Sequence, residues 1–346
     1  MVFVFGRRQS YELFYYLHVP IGLAFLGAAL IHAWSFWYYG AIGLTLFCGD
    51  ALLRTLHAAR AERGRPTCAE FDEASKVTTL RFDRAAFDHY EPAQYIHICI
   101  PAISRLERHP FTISSAPSAA ERTLHIKALP MKGKKGTGAG AETFTAKLAR
   151  LVQSGGVAAL GDVRIDGPLG SAGEMAYGEG FDELVLVAGG IGFTPIHSIL
   201  AELLIRTSAS TRSTSINSDE EREGGSGFAK EAQVTPRRVR VIWAARKIGE
   251  LAIFAKTLFA ASQVPTIALD LFLTQPRTQR GDELCNEELA WLDGVCREGR
   301  PNLAELLGDL GANAAVFACG PVPLVDAASD VAYAKQAKFH SETFYF

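Results

Sequence analysis

The sequence predicts a multi-domain protein in three parts: an N-terminal transmembrane helical hairpin, an antiparallel β-barrel, and an α/β domain on a parallel sheet. Three observations carry this. Apolar residues crowd the first sixty positions, short runs of period-two alternation broken by prolines follow, and an apolar strand then feeds a glycine turn and a helix. The expected boundaries are 1–60, 61–178 and 181–346.

The hairpin rests on two runs, Tyr15 to Trp34 and Phe36 to Leu53, apolar apart from His18, His32 and Asp50. Each run is about the length that crosses a bilayer's hydrocarbon core, and longer than a signal peptide's apolar stretch. Arg7 and Arg8 precede the first run, and Arg54, Arg60, Arg63 and Arg65 follow the second. The turn Trp34-Ser35-Phe36-Trp37-Tyr38-Tyr39-Gly40 is aromatic, so both ends are expected on the cytosolic side of an integral membrane protein, with the remaining domains in the cytosol. His18 and His32 stand fourteen positions apart, which returns a helix to within about 40° of the same face after a rise of about 21 Å.

Composition narrows the rest. A net charge of −2 gives no basic surplus for a nucleic-acid partner. The six cysteines show neither CxxC nor metal-ligand spacing, so no zinc site or disulfide framework is indicated.

The barrel is read from runs such as Lys76 to Phe82 and Gln94 to Ile100, broken by Pro92, Pro101 and Pro110 and ending near Gly170. Within it lies His109-Pro110-Phe111-Thr112-Ile113-Ser114-Ser115. A flavin must be held with N5 open to hydride, and a short hydroxyl on a strand can bond N5 without blocking it. Thr112 is placed for that, Phe111 can cover the flavin, and Ser114 and Ser115 add donors. Taken alone, the motif also reads as an ordinary strand after a proline. Lys132 to Gly140 is expected to be a mobile loop.

The α/β domain opens with Leu184 to Ala188, then Gly189-Gly190-Ile191-Gly192-Phe193-Thr194-Pro195, then a helical pattern from Ile196 to Ile205. A glycine turn opening a helix lets backbone N–H groups and the helix dipole meet a pyrophosphate, and Pro195 suits a first helical turn. Further strands are expected at Val239 to Trp243, Thr266 to Leu273 and Ala314 to Ala318. Residues 207–238, rich in Ser, Thr, Gly and charge, are expected to form a flexible insertion. Cys319-Gly320-Pro321 follows the last apolar strand, at a C-terminal sheet edge where such folds bind ligands. A small buried turn residue is the plainer reading of Cys319.

Pro92-Ala93-Gln94-Tyr95 lies one strand before the His-Pro-Phe-Thr run, and Asp166-Gly167-Pro168-Leu169-Gly170 lies one barrel edge after it. With these segments in order, the chain resembles the ferric reductase and NADPH oxidase family, whose cytosolic part pairs a flavin barrel with a nicotinamide domain in the ferredoxin-reductase manner. The resemblance implies that His109, Pro110, Phe111 and Thr112 bind FAD, with Gln94, Tyr95, Gly167 and Gly170 in the same site. His125 and Lys127 fall where the family contacts the FAD phosphates. It implies a nicotinamide motif at Gly189, Gly190, Gly192, Thr194 and Pro195, and ribose contacts near Trp243-Ala244-Ala245-Arg246 and Gly299-Arg300. Arg246 and Arg300 then suit a 2′-phosphate and NADPH. Cys319, with Gly320 and Pro321, falls beside the nicotinamide C4, and Phe344 is the aromatic residue expected to stack on the flavin.

His18 and His32 match the axial ligands the family offers to two haems b. A second pair must come from another helix, and the second helix offers only His57 at its cytoplasmic end, so preceding helices or a partner subunit are expected to supply it. The implied function is a membrane-bound oxidoreductase, expected in the plasma membrane, carrying hydride from NADPH to FAD and single electrons to haem, ferric chelate or oxygen. Two other readings stay open: a haem-free membrane-anchored NAD(P)H:acceptor reductase, and a catalytically silent regulatory subunit that pairs with a full-length oxidase.

Overall fold

The computed structural model describes residues 11–32, 35–59, 62–129 apart from 88 and 106, 142–170, 175, 177–216, 236–275, 291–292 and 294–342. They divide into two compact units between Ala61 and Glu62.

The first unit is a pair of helices, α1 (Tyr11–His32) and α2 (Ser35–Ala59), in contact with each other. Leu30 is buried between them, but Ile21, Phe25, Ile31, Ile42 and Leu46 are exposed. The two expected helices therefore form. Among the described residues no helix is long and apolar enough to cross a membrane. The apolar runs are interrupted by His18, Pro20 and His32 in α1 and by Asp50 in α2. What the described residues show is a helical hairpin with an apolar exterior.

The second unit begins with seven strands in two antiparallel sheets. One has the order β1 (Glu62–Gly64), β7 (Val163–Leu169), β4 (Tyr95–Cys99), β5 (His109–Thr112). The other has the order β2 (Cys68–Asp72), β3 (Val77–Asp83), β6 (Glu121–Lys127). Alternation sends Leu80, Phe82, Leu124 and Ile126 of one sheet and Ile96, Ile98, Val163 and Ile165 of the other into one shared core. The expected barrel is thus realised as two sheets packed over a common interior. Helix α3 (Phe144–Leu160) closes it with Phe144, Leu148 and Val152. Thr143 caps α3, its hydroxyl oxygen accepting the Ala146 N–H at 3.2 Å.

The rest is a parallel sheet of order β11 (Arg297–Glu298), β10 (Ile267–Leu273), β9 (Arg238–Ala245), β8 (Glu183–Gly189), β12 (Ala314–Cys319), β13 (Lys338–Glu342). Strands β8 and β12 are almost wholly buried because helices cover both faces. Leu184 and Leu186 face the core built with α4 (Phe193–Ile216) and α6 (Ala255–Ser262). Val185 and Val187 face the core built with α7 (Leu303–Leu306) and α8 (Val322–Ala334). A short helix, α5 (Ile248–Ala252), follows β9.

The expected flexible insertion begins later than its composition suggests. Helix α4 runs on to Ile216, and the Thr207 and Ser208 hydroxyls donate to the Leu203 and Leu204 carbonyls, so polar side chains are absorbed into the helix. Residues 217–235, the loop at 132–140, Phe344 and the arginines at 7 and 8 lie outside the described residues.

Candidate functional site

Thr112 ends β5 opposite Tyr95 of β4. Its side chain is 4% exposed, and its hydroxyl has no hydrogen-bond partner, a condition shared among the described residues only with Thr78. A buried hydroxyl left unpaired costs about 1–3 kcal/mol. Position, burial and the open valence suit a strand hydroxyl that completes its hydrogen bond on a ligand.

The other motif residues surround it in less uniform roles. Phe111 stacks on Phe144 at 6.2 Å and the His109 ring lies 4.2 Å from the same phenyl, so the start of α3 covers β5. Pro110 is exposed. The Ser114 hydroxyl donates to the Thr123 carbonyl at 2.8 Å and sits 2.6 Å from His125 Nδ1. The Ser115 hydroxyl accepts the Thr123 N–H and meets Tyr90. Both serines, expected as cofactor donors, are engaged within the protein. Gln94 ties its own loop to the far one, its amide donating to the Gly170 carbonyl at 2.7 Å. Gly170 has φ +84, and a Cβ there would stand 3.0 Å from the Tyr95 ring. Gln94, Tyr95, Gly167 and Gly170 therefore do converge, as one packed corner.

The segment after Thr112 is bolted to the parallel-sheet half. His197 of α4 lies with Nδ1 2.6 Å from the Ser114 carbonyl, and Ser198 donates to the Ser115 carbonyl at 2.7 Å. Since a carbonyl can only accept, Nδ1 carries the proton, and Nε2 accepts from Thr257 at 2.8 Å. Burial pushes His197 down to about 4 and His125 down to about 3, so both rings are neutral near pH 7. His125, expected beside FAD phosphates, therefore offers them no positive charge.

Helix α4 starts at the glycine turn. A Cβ on Gly192 would stand 2.5 Å from the Cys319 carbonyl oxygen, one on Gly320 2.9 Å from the Gly189 nitrogen, and one on Gly189 would overlap Pro321. The sequence suggests glycine here to admit a phosphate. The structure supplies a different reason at Gly189 and Gly192: the turns after β8 and β12 interlock and leave no room for a side chain there or at Gly320. Gly190 is the exception, with φ +56 and its nearest neighbour, Glu250 Oε2, 4.0 Å away. The Trp243 indole donates to its carbonyl at 3.0 Å and stacks on Phe193 at 3.9 Å. Thr194 donates to the Ile191 carbonyl, and Pro195 is buried in the first turn of α4.

Cys319 ends β12 between Ala188 and Glu342 in register, fully buried. Burial raises its thiol well above the ordinary range, so it stays protonated and its contribution is its shape. Burial also pushes Glu342 up to about 7. Glu342 escapes a reading of the sequence because only the parallel pairing of β12 and β13 brings it beside Cys319.

Arg246 and Arg300 lie exposed beyond the C-terminal ends of β9 and β11. The bonds from Thr274 N–H to the Ala245 carbonyl and from Gly299 N–H to the Leu273 carbonyl hold these ends side by side across β10. Lys127 is committed elsewhere: its ammonium pairs with the buried Glu250 carboxylate. His18 and His32 both lie exposed on α1, and among the described residues no group of three or more metal-ligating side chains occurs.

Comparison with known proteins gives two family matches. Residues 181–333 match the ferric reductase NAD binding domain, and residues 71–172 match an FAD-binding domain. Ferric reduction oxidase 8, mitochondrial, of Arabidopsis thaliana is 28% identical over 275 residues, covering 78% of this chain and 33% of that one. NADPH oxidase 5 of Homo sapiens is 29% identical over 222 residues, covering 58% of this chain and 28% of that one. The chain thus spans about a third of the length of these relatives. Among solved structures, a ferredoxin NADP+ reductase from Neisseria gonorrhoeae with bound FAD and NADP superposes with a TM-score of 0.55 at 14% identity. It covers 82% of this chain and 98% of that one, a likeness of fold.

Proposed function

Because the chain belongs to the ferric reductase and NADPH oxidase family, as an NAD(P)H-dependent FAD oxidoreductase, we propose that it takes hydride from NADPH and passes electrons singly to haem, ferric iron or oxygen. The observation that carries the reading is the unpaired, buried Thr112 hydroxyl on a strand tied by Ser114 and Ser115 to the helix that springs from the glycine turn. FAD, when bound, supplies the conversion of a two-electron donor into single-electron steps. Thr112 would donate to it at N5, and Phe111 and His109 would flank it. Gly190 would let the nucleotide's diphosphate approach the backbone, and Arg246 with Arg300 would take the 2′-phosphate. Cys319, as a neutral thiol, would set the depth at which the nicotinamide rests.

The test is anaerobic mixing of the FAD-loaded chain with NADPH. Flavin bleaching that depends on NADPH, and slows in Thr112→Val, supports the reading; a yellow protein that NADPH leaves oxidised defeats it and favours a silent regulatory subunit.

The exposed apolar side chains of α1 and α2 support attachment of the hairpin to a membrane, and the same-face placement of His18 and His32 supports one half of a haem ligand set. Carbonate extraction checks the first. Split α-bands on dithionite reduction of the membrane-extracted chain, alone or with a partner carrying a second histidine pair, check the second. A flavin-only spectrum in both cases leaves the haem-free reductase.

A further inference from the structure

Glu250 is a carboxylate in an unexpected place. It is 8% exposed, yet it stands at the C-terminal edge of the parallel sheet, where anionic ligands bind in such folds. One oxygen pairs with the Lys127 ammonium, reaching across from β6. The other accepts the Arg246 backbone N–H at 3.1 Å and lies 4.0 Å from where a Cβ would sit on Gly190. An ammonium, a free-facing backbone N–H and a glycine at positive φ form the donor set of a phosphate subsite, and here a carboxylate occupies it. A cleft of about 640 Å³ opens beside it, walled by Arg246, Lys247 and Gln275 and also by Asp72, Glu73 and Lys76, the last paired with Glu73.

A buried ion pair is a poor way to hold two halves together, because both partners forfeit hydration. Those halves are already joined by the bonds to Ser114, Ser115 and Ser118. The pair does suit a latch, because a charge held by exchangeable donors gives way to a stronger anion. We propose that the Glu250 carboxylate stands in for the nicotinamide nucleotide's diphosphate, holding Lys127 and the Arg246 N–H until the diphosphate takes them over. The proposal rests on the nucleotide reading above. It makes Glu250 a positioning residue that opposes nucleotide binding, and it assigns Lys127 to the nucleotide side of the site. It also couples nucleotide arrival to release of a tie between the flavin and nicotinamide halves.

The test is calorimetric titration of the full chain and its variants with ADP and 2′,5′-ADP, which bind without any flavin chemistry, alongside thermal melts. Glu250→Gln, which keeps an acceptor for the Arg246 N–H but frees Lys127, should bind ADP about tenfold more tightly, the scale of one charge interaction near a protein surface, and 2′,5′-ADP, which has only a single phosphate at its 5′ end, by a smaller factor. Lys127→Met should bind ADP about tenfold more weakly. The double variant should recover most of that loss, which holds the inference open to refutation even if Glu250→Gln folds poorly. Equal or weaker binding by a folded Glu250→Gln, or a double variant no better than Lys127→Met, overturns the inference. A gain confined to 2′,5′-ADP overturns the assignment to the diphosphate. If the unaltered chain binds neither probe, the nucleotide reading itself fails.

Discussion

The two edges of the parallel sheet are built from the same strands and do opposite things with charge. At the N-terminal edge, Arg240 of β9 is buried, pairs with Glu183 of β8, reaches Asp309 at 2.7 Å and donates to the Leu306 carbonyl at 2.7 Å. Arg238 meets the same Asp309 at 3.1 Å. At the C-terminal edge, Arg246, Lys247 and Arg300 are exposed, the turns are glycine, and backbone packs on backbone. An edge whose charges satisfy each other has nothing left to offer a ligand; one that keeps its cations at the surface does. At the N-terminal edge the charges are spent on one another; at the C-terminal edge the Lys127–Glu250 pair borders a cleft that also carries exposed cations, where a ligand can compete for it.

The largest effect is expected at the closed edge. Arg240→Met leaves the buried Glu183 with only Arg238, 3.7 Å away, and should cost about 3 kcal/mol, read as a fall in the thermal midpoint with NADPH affinity of the folded fraction unchanged. A midpoint that stays put would show the closed edge is not structural. At the open edge, Gly192→Ala forces a Cβ against the Cys319 carbonyl and should cost about 1–3 kcal/mol together with nucleotide binding. Gly311→Ala, with nothing within 4 Å, is the neutral control.

Smaller effects are expected at Thr112 and Arg246. Thr112→Val removes an unpaired hydroxyl, so the flavin-free protein should hold its stability while flavin reduction slows about tenfold, the worth of one hydrogen bond. Arg246→Ala should raise the NADPH requirement about tenfold and leave that for NADH within about twofold, since only the former carries the 2′-phosphate. Equal effects on both coenzymes would remove Arg246 from that role.

The seam between the halves should respond to acid. His197 and His125 sit below the ordinary histidine value in the folded chain, so between about 4 and 6.5 the unfolded chain binds more protons. Their contribution is complete above about pH 6.5 and is lost as pH falls toward 4. His197→Gln should flatten that part of a stability-against-pH curve; an unchanged slope would show that His197 does not govern the seam.

Much of the fold was legible locally. The strands at β3, β4, β8, β9, β10 and β12 lie where alternation or an apolar run put them, because burial on one or both faces imposes those patterns. Helix α3 is not legible in the sequence, since its start falls beside a stretch rich in Gly and Lys and its apolar spacing is interrupted at Gly155 and Gly156. The helix α4 outlasts the point where composition turns polar because serine and threonine can bond back into a helix as readily as they can leave one.

By itself, the sequence determined the order of the parts and the motifs at His109 to Ser115, Gly189 to Pro195 and Cys319 to Pro321, because period, turn chemistry and local motif are properties of neighbouring residues. Tertiary structure alone decided that the Ser114 and Ser115 hydroxyls are spent on Thr123 and their carbonyls on the seam, that Gly189 and Gly192 are glycine for the sake of Cys319 to Pro321, and that Lys127 belongs to Glu250. Those pairs are 123 residues or more apart in the chain for both Lys127–Glu250 and Gly192–Cys319. Contacts across such distances follow from which strands lie side by side, and strand order is set by the packing of whole layers, which no local pattern encodes.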